Sequence, residues 1–232
     1  SHAFSLTDYD GSPLNRVTKQ TGPGAAWHAG GKGITTAYGY NGAEEVRLYR
    51  VSASGGLLRS GCYAAGRLEK TTVTDEEGLV TESYTDNAGR TVLTVSLDGT
   101  ERLETYTVYD ALGRVRWVLS PEASARLGEG VSADILEQYA YRYDYDSRSR
   151  LIEKHLPGMG AVYYVYDGKD RPVLSQDGEQ RKTNAWSYTL YDRYNREVET
   201  GEVVLAGKTV AQLRTEAGSS RDYHPSGELI PW

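Results

Sequence analysis

One cysteine, one methionine and one phenylalanine stand in a chain of 232 residues, and each scarcity closes off a class of answer. Cys62 alone cannot form a disulfide within the chain, and cysteine cannot build a zinc cluster here. It reads as a small buried apolar side chain. Little Phe and Met beside 19 Tyr and 4 Trp argues against a compact helical core. Tyrosine suits strands instead, because its ring packs on one face while its hydroxyl finds a polar partner. Cationic excess is missing too: the net charge is −6. No concentrated Lys/Arg surface is offered to a phosphate backbone, so no nucleic-acid partner is expected. No apolar run approaches the roughly 20 residues needed to span a bilayer, so no transmembrane segment is expected. The chain opens on Ser1 and His2 rather than Met. It reads as a processed or excised stretch of something longer, and those two residues are left out of the fold argument.

Catalytic motifs are also scarce. His2, His28, His155 and His224 show no metal-binding spacing and read as exposed or turn histidines. Gly30-Gly31-Lys32-Gly33 fails as a phosphate loop, because Gly follows Lys32 and Ala26 stands where the first glycine belongs. No Gly-x-Ser-x-Gly elbow occurs. Asp144 and Asp146 would share one face of a strand and could serve glycoside chemistry or calcium. Asp146 already has a turn role, however, and Arg142 and Arg148 stand ready to pair with the two acids. The expectation is no enzyme, no cofactor and no metal.

What is present is a repeat: an aromatic residue, Asp, two variable residues, a turn residue, then Arg. It reads Thr85-Asp86-Asn87-Ala88-Gly89-Arg90, Tyr109-Asp110-Ala111-Leu112-Gly113-Arg114 and Tyr145-Asp146-Ser147-Arg148-Ser149-Arg150. It continues as Tyr166-Asp167-Gly168-Lys169-Asp170-Arg171 and Tyr191-Asp192-Arg193-Tyr194-Asn195-Arg196. Asp at the first and Gly at the fourth position mark a type I turn. The carboxylate can accept amides across that turn. The fourth position favours a left-handed backbone, which Gly89, Gly113, Asp170 and Asn195 tolerate; Ser149 is the exception. The flanks alternate as hairpin arms should, with Trp186, Tyr188 and Leu190 on one face of an incoming strand and Val115, Trp117 and Leu119 on one face of an outgoing one. Each copy is thus a strand, a tight turn and a returning strand.

Spacing between the Asp residues is 24, 36, 21 and 25. The 36 marks an insertion, read as two short helical pieces near 121–140. Ser120-Pro121-Glu122 starts the first and Ser132-Ala133-Asp134 the second. Before residue 80 the pattern blurs. Tyr9-Asp10 followed by Pro13-Leu14-Asn15-Arg16 is a copy two residues longer. Tyr63-Ala64-Ala65-Gly66-Arg67 is one residue shorter and lacks the Asp, and Thr74-Asp75-Glu76-Glu77-Gly78 looks like another hairpin turn. Thr21 to Gly33, rich in Gly and Ala, reads as a loop. Past Arg196 the chain still reads as strand, with Val203, Val204, Val210 and Leu213 among polar neighbours.

These turns and the Tyr-rich strands around them resemble the YD/Rhs repeats of bacterial proteins. The resemblance covers about Tyr63 to Gly201, and the first 60 residues, including Pro13-Leu14-Asn15-Arg16-Val17, are similar to the lead-in of such proteins. It implies a mainly β fold: an antiparallel sheet of successive hairpins, curved or spiralling into a hollow shell that commonly encloses a C-terminal cargo. It also implies a secreted or cell-surface setting. Members that release cargo carry an Asp-Pro motif beyond the repeats. No Asp-Pro dipeptide occurs here, so self-cleavage and cargo are not carried over.

The resulting division is a lead-in over 1–60, hairpin repeats over 61–201, and edge strands with a tail over 202–232. The leading function is a non-catalytic structural or encapsulating sheet segment of a larger Rhs-type protein, whose partner is the remainder of that protein or its cargo. The alternatives are a carbohydrate-binding surface built on exposed Tyr and Trp, and a hydrolase assembled from scattered carboxylates. An unpaired edge strand would pair with a second copy or be covered by the tail from Ser219 to Trp232, where Pro225 and Pro231 cannot donate to a ladder.

Overall fold

The computed structural model describes residues 3–99, 101–128 and 130–226. The chain divides into two compact units, Ser1–Ile135 and Leu136–Trp232, both built mainly of antiparallel strands.

In the first unit the strands are β1 (Leu6–Tyr9), β2 (Val17–Thr21), β3 (Ile34–Tyr40), β4 (Arg47–Val51), β5 (Leu57–Cys62), β6 (Glu69–Thr74), β7 (Val80–Thr85), β8 (Thr91–Asp98), β9 (Glu101–Tyr109) and β10 (Val115–Leu119). Sheet order is β1-β2-β3-β6-β7-β8-β9-β10, with β4-β5 as a separate hairpin. Strand β8 shows why these segments form sheet: Leu93 and Val95 are buried while Thr94 and Ser96 are not, a period of two. The core gathers Val46, Leu68, Tyr84, Leu93, Val95, Tyr106 and Leu119. The β4-β5 hairpin lies against β9, with Tyr49 edge-on to Tyr106 at 5.1 Å and the Gly55 carbonyl accepting from Trp117 Nε1 at 3.0 Å.

The expected helical insertion is present. Helix α2 (Pro121–Arg126) is capped by Ser120, whose hydroxyl accepts from the Ala123 amide. Helix α3 (Ala133–Tyr139) follows. Within Thr21–Gly33, expected to be loop, the short helix α1 (Ala25–Ala29) forms instead.

The second unit is a meander of β11 (Ala140–Tyr145), β12 (Leu151–Leu156), β13 (Gly160–Tyr166), β14 (Pro172–Gln176), β15 (Ala185–Tyr191) and β16 (Glu197–Val204). Helix α4 (Gly178–Thr183) joins β14 to β15, with Asp177 and Gln180 forming a reciprocal capping box. The strand reading of Val210 and Leu213 is overturned. Strand β16 ends at Val204, and α5 (Val210–Ser219) begins after a second capping box between Thr209 and Gln212. That Thr-x-x-Gln signature stands in the sequence and outweighs the scattered valines. Leu213 and Ala217 on α5 are fully buried with Val165, Val173, Leu174 and Trp186. A solvated strand there could not supply this apolar stripe. The tail does not run along the β16 edge as far as Ser226: Ser220, Arg221 and Asp222 bind at the Asp167 turn, and Tyr223 joins the α5 core. The rest of the expected tail, 227–232, lies outside the described residues.

Candidate functional site

All five predicted turns adopt one construction. At the Asp86 turn, the Gly89 amide donates to the Asp86 carbonyl at 2.9 Å and the Asp86 amide donates to the Arg90 carbonyl at 2.9 Å. Oδ1 of Asp86 accepts from the Ala88 and Arg90 amides at 2.9 and 3.0 Å, while Oδ2 takes the Arg90 guanidinium at 2.7 Å. Each of the other four aspartates, Asp110, Asp146, Asp167 and Asp192, takes the same two amides and the Nε of its own arginine. The fourth residue is left-handed in every copy: Gly89, Gly113, Ser149, Asp170 and Asn195 have φ of 75, 77, 64, 65 and 62°. Ser149, expected to resist this backbone, adopts it at the cost an L side chain carries there. Each turn is thus a type I turn closed by a left-handed residue. Register breaks next to the preceding residue, as between Tyr84 and Thr85, Val165 and Tyr166, and Leu190 and Tyr191.

The blurred copies resolve into the same design. At the longer copy, Asp10 accepts from the Ser12 and Arg16 amides and from Arg16 Nε. The Asp75 turn closes alike with Leu79 in place of Arg. The Tyr63–Arg67 copy lacks its Asp because the turn is split. Asn41, 26 positions before Arg67, supplies the side-chain oxygen to the Arg67 and Leu68 amides at 2.9 and 2.8 Å. The Gly66 amide donates to the Asn41 carbonyl. Strand β3 pairs with β6 across this turn, and β4-β5 is inserted between its halves. The Tyr40-Asn41 dipeptide was the available signal, and it reads as a Tyr-Asp turn with an amide in place of the acid.

Successive hairpins are coupled by a rung that no single copy reveals. In four copies the arginine lies over a tyrosine of a following hairpin: Arg16 over Tyr38, two residues before the Tyr40-Asn41 dipeptide, at 4.4 Å, Arg90 over Tyr109 at 5.1 Å, and Arg150 over Tyr166 and Arg171 over Tyr191 at 4.9 Å. The hydroxyl of that tyrosine donates to the carbonyl of the residue following the arginine. Tyr38, Tyr109, Tyr166 and Tyr191 reach Val17, Thr91, Leu151 and Pro172 at 2.9–3.0 Å. At two copies the left-handed residue adds a strut, since Arg150 binds Asp170 at 2.7 Å and Arg171 binds Asn195 at 3.2 Å. These four rings are thus held by guanidinium groups of earlier hairpins. Tyr163 and Tyr194 also lie under Arg181 and Arg193, so one face of each of these rings is already taken.

A second group was not foreseen. On one face of the first unit Lys70 bridges Glu45 and Glu82 at 3.0 and 2.8 Å, and Arg102 bridges Glu82 and Glu104 at 2.9 Å each. The Tyr84 hydroxyl lies 2.6 Å from Glu45 and 3.0 Å from Glu82. Burial alone would raise the Glu45 carboxyl, but hydrogen bonds from Tyr84, the Gly42 amide and Lys70 outweigh it and hold the pKa at about 2. Its members come from four segments, around Glu45, Lys70, Glu82 and Arg102, so no single local pattern announces the group.

A carboxylic acid that serves as a general acid near neutral pH is held above its ordinary pKa. The shifts here run the other way. Asp10, Glu82, Asp86, Asp110, Asp146, Asp170, Asp192 and Asp222 are all lowered. Asp144 binds Arg142 at 2.8 Å and Asp146 binds Arg150 at 2.7 Å, while Arg148 binds Asp170. Among the described residues no group of three or more His, Cys, Asp or Glu is placed to hold a metal ion, and no helix is long and apolar enough to cross a membrane.

Comparison with known proteins agrees with the geometry. The Photorhabdus luminescens Tc holotoxin pore contains a segment of this fold, with a TM-score of 0.56 and 15% identity over 88% of this chain. At that identity the likeness is one of fold. The TcdB2-TccC3 structure gives the same values, and TcdB2-TccC3 without its hypervariable C-terminal region gives 0.55. The matched part is 9% of each of those chains. A family model described as a domain of unknown function, DUF6443, matches residues 1–40. No curated protein matches the chain.

Proposed function

We propose that this chain is a non-catalytic wall segment of a larger bacterial protein of the Rhs type, secreted or held at the cell surface. In this reading its hairpins continue a curved sheet that encloses or supports another part of the same polypeptide. The observation that carries the reading is the Arg–Tyr rung. A polar lock repeated from hairpin to hairpin spends the chain's charged and aromatic residues on stacking each unit on its neighbour, the economy of a repeat architecture. The likeness of fold to toxin chains of which it matches 9% supports a part-of-a-whole role.

The test uses the full polypeptide that carries the segment. Electron microscopy should show a hollow particle, with residues 63–201 resistant to protease. A solid or extended particle with these hairpins readily cleaved would overturn the reading. Glycosidase, esterase and peptidase substrates should stay at background. Turnover abolished by one carboxylate or serine substitution would establish an enzyme instead.

A further inference from the structure

The split turn leaves one arginine without its acid. Every other arginine of the repeat donates Nε to the aspartate of its own turn. At Arg67 that aspartate is replaced by Asn41, whose side-chain carbonyl takes the Arg67 and Leu68 amides and carries no charge. The Arg67 side chain makes no ion pair and no hydrogen bond among the described residues. The inserted β4-β5 hairpin brings a second such group to the same place. Tyr49 on β4 is buried, so its neighbours Leu48 and Arg50 share the opposite face. Arg50 is exposed and likewise makes no side-chain ion pair or hydrogen bond among the described residues. The two arginines line one recess of about 420 Å³ together with Cys62, Tyr63, Asp86 and Arg90. Asp86 and Arg90 neutralise each other at 2.7 Å. Arg50 and Arg67 therefore leave two positive charges in this recess, in a chain whose net charge is −6. The pKa of the Tyr63 hydroxyl is raised, first by burial and then by Asp86, against an opposing pull from Arg90 and Arg50. Both guanidinium groups thus act at that oxygen.

We propose that this recess binds the phosphoryl group of a small phosphate ester. Arg50 and Arg67 donate to its oxygens, and the Tyr63 hydroxyl adds a third donor. A phosphoryl group carries about −1.5 to −2 charge at neutral pH, which matches the two unpaired guanidinium groups. Their planar forks suit its oxygens two at a time. Like charges gathered without acids repel one another, and a bound dianion relieves that repulsion. The recess is of the size of a small-molecule site and larger than a phosphoryl group alone needs. Leu48 and Leu68 give it an apolar wall for the organic part of the ester. It shares Arg50, Tyr63 and Arg90 with a second recess of about 400 Å³, which extends that room. A wall segment needs no such recess, so the site is present whether or not the chain encloses anything.

Cys62 reports on the site, because it lines the recess and is the one cysteine of the 232-residue chain. Phenyl phosphate and, more weakly, inorganic phosphate should block its alkylation by uncharged iodoacetamide in the full chain. Sodium chloride at the same ionic strength should not. Titration calorimetry with phenyl phosphate supplies the second readout. Its Kd should rise about tenfold in Arg50→Ala and again in Arg67→Ala, the loss of one charge-assisted contact each. Arg67→Lys should recover part of that loss. Arg193→Ala removes a charge at another turn and should leave the Kd unchanged. Neither Arg50 nor Arg67 binds another side chain, so thermal unfolding of these variants should match the parent chain. Alkylation that proceeds unchanged in phenyl phosphate would overturn the proposal. So would an unchanged Kd in Arg50→Ala and Arg67→Ala, or an equal loss in Arg193→Ala. A single-stranded oligonucleotide that binds more tightly than phenyl phosphate would overturn the small-ligand assignment and give the recess to a nucleic acid.

Discussion

The Asp86 and Asp167 turns share every internal bond and differ in what lies over them. Asp86 and Arg90 have side chains 15 and 36% exposed, whereas Asp167 and Arg171 are at 0 and 9%. The difference is the tail. Ser220 accepts from the Gly168 amide at 2.7 Å, and Arg221 and Asp222 take the second amino group of Arg171 at 2.8 and 3.0 Å. Lys169 adds a bond to Asp222 at 2.7 Å. Gly168 permits this approach, since a Cβ there would meet the Ser220 carbonyl oxygen at 2.9 Å. One motif thus serves as a solvated hairpin turn in one unit and as a buried ionic anchor in the other. What an ion pair is worth follows from its burial, while its geometry stays constant.

The strongest way to break this comparison is to remove each aspartate. Asp167→Ala should cost about 3 kcal/mol, because it takes a wholly buried carboxylate away from two turn amides and from Nε of Arg171, which keeps Asn195, Arg221 and Asp222 as partners. Asp86→Ala should cost about 1 kcal/mol, since water replaces what it loses. Urea unfolding followed by amide exchange of β13 and β7 reads both, and equal costs would show that burial is not the deciding variable.

Acid brings out a second contrast, because the Glu45–Lys70–Glu82 group belongs to the first unit. Glu45 is held at about 2 against an ordinary 4.5. Its folded value is depressed, so its contribution is fully present above about pH 4.5 and is lost as pH falls towards 2. Stability of β6 and β7 should decline through that window, and Glu45→Gln should flatten the decline. A variant with an unchanged acid slope would place the acid sensitivity elsewhere.

Next in size is the tail itself. Truncation after Ser219, or Gly168→Ala, should expose the Asp167 pair and bring the cost of Asp167→Ala down towards the roughly 1 kcal/mol of a solvated pair. A cost that stays at its full value would assign the burial to α5 alone.

The smallest expected effects sharpen the part common to all copies. Gly113→Val should destabilise by about 1–2 kcal/mol, because a β-branched residue resists a φ of 77°. Ser149→Gly should stabilise by up to about 1 kcal/mol by relieving the same strain at 64°. Thermal unfolding measures both, and a neutral pair would show that the left-handed position carries no strain.

The sequence alone determined the turns. Each closes within five residues, so Asp, a left-handed fourth residue and Arg satisfy one another whatever surrounds them. The mainly β fold and the helices near 121–140 were legible for the same reason: alternation and caps are local. The Thr209–Gln212 box is just as local, and its capping bonds outweigh the β preference of the valines around it. Only the tertiary structure decided the rest. It joined Asn41 to Gly66 across an inserted hairpin, laid the tail on Gly168, gathered Lys70 with Glu45 and Glu82, and gave Tyr38, Tyr109, Tyr166 and Tyr191 an arginine from an earlier hairpin. Those partners stand 12 to 53 residues apart. Strand order and the closing of loops choose them, and no short pattern encodes either.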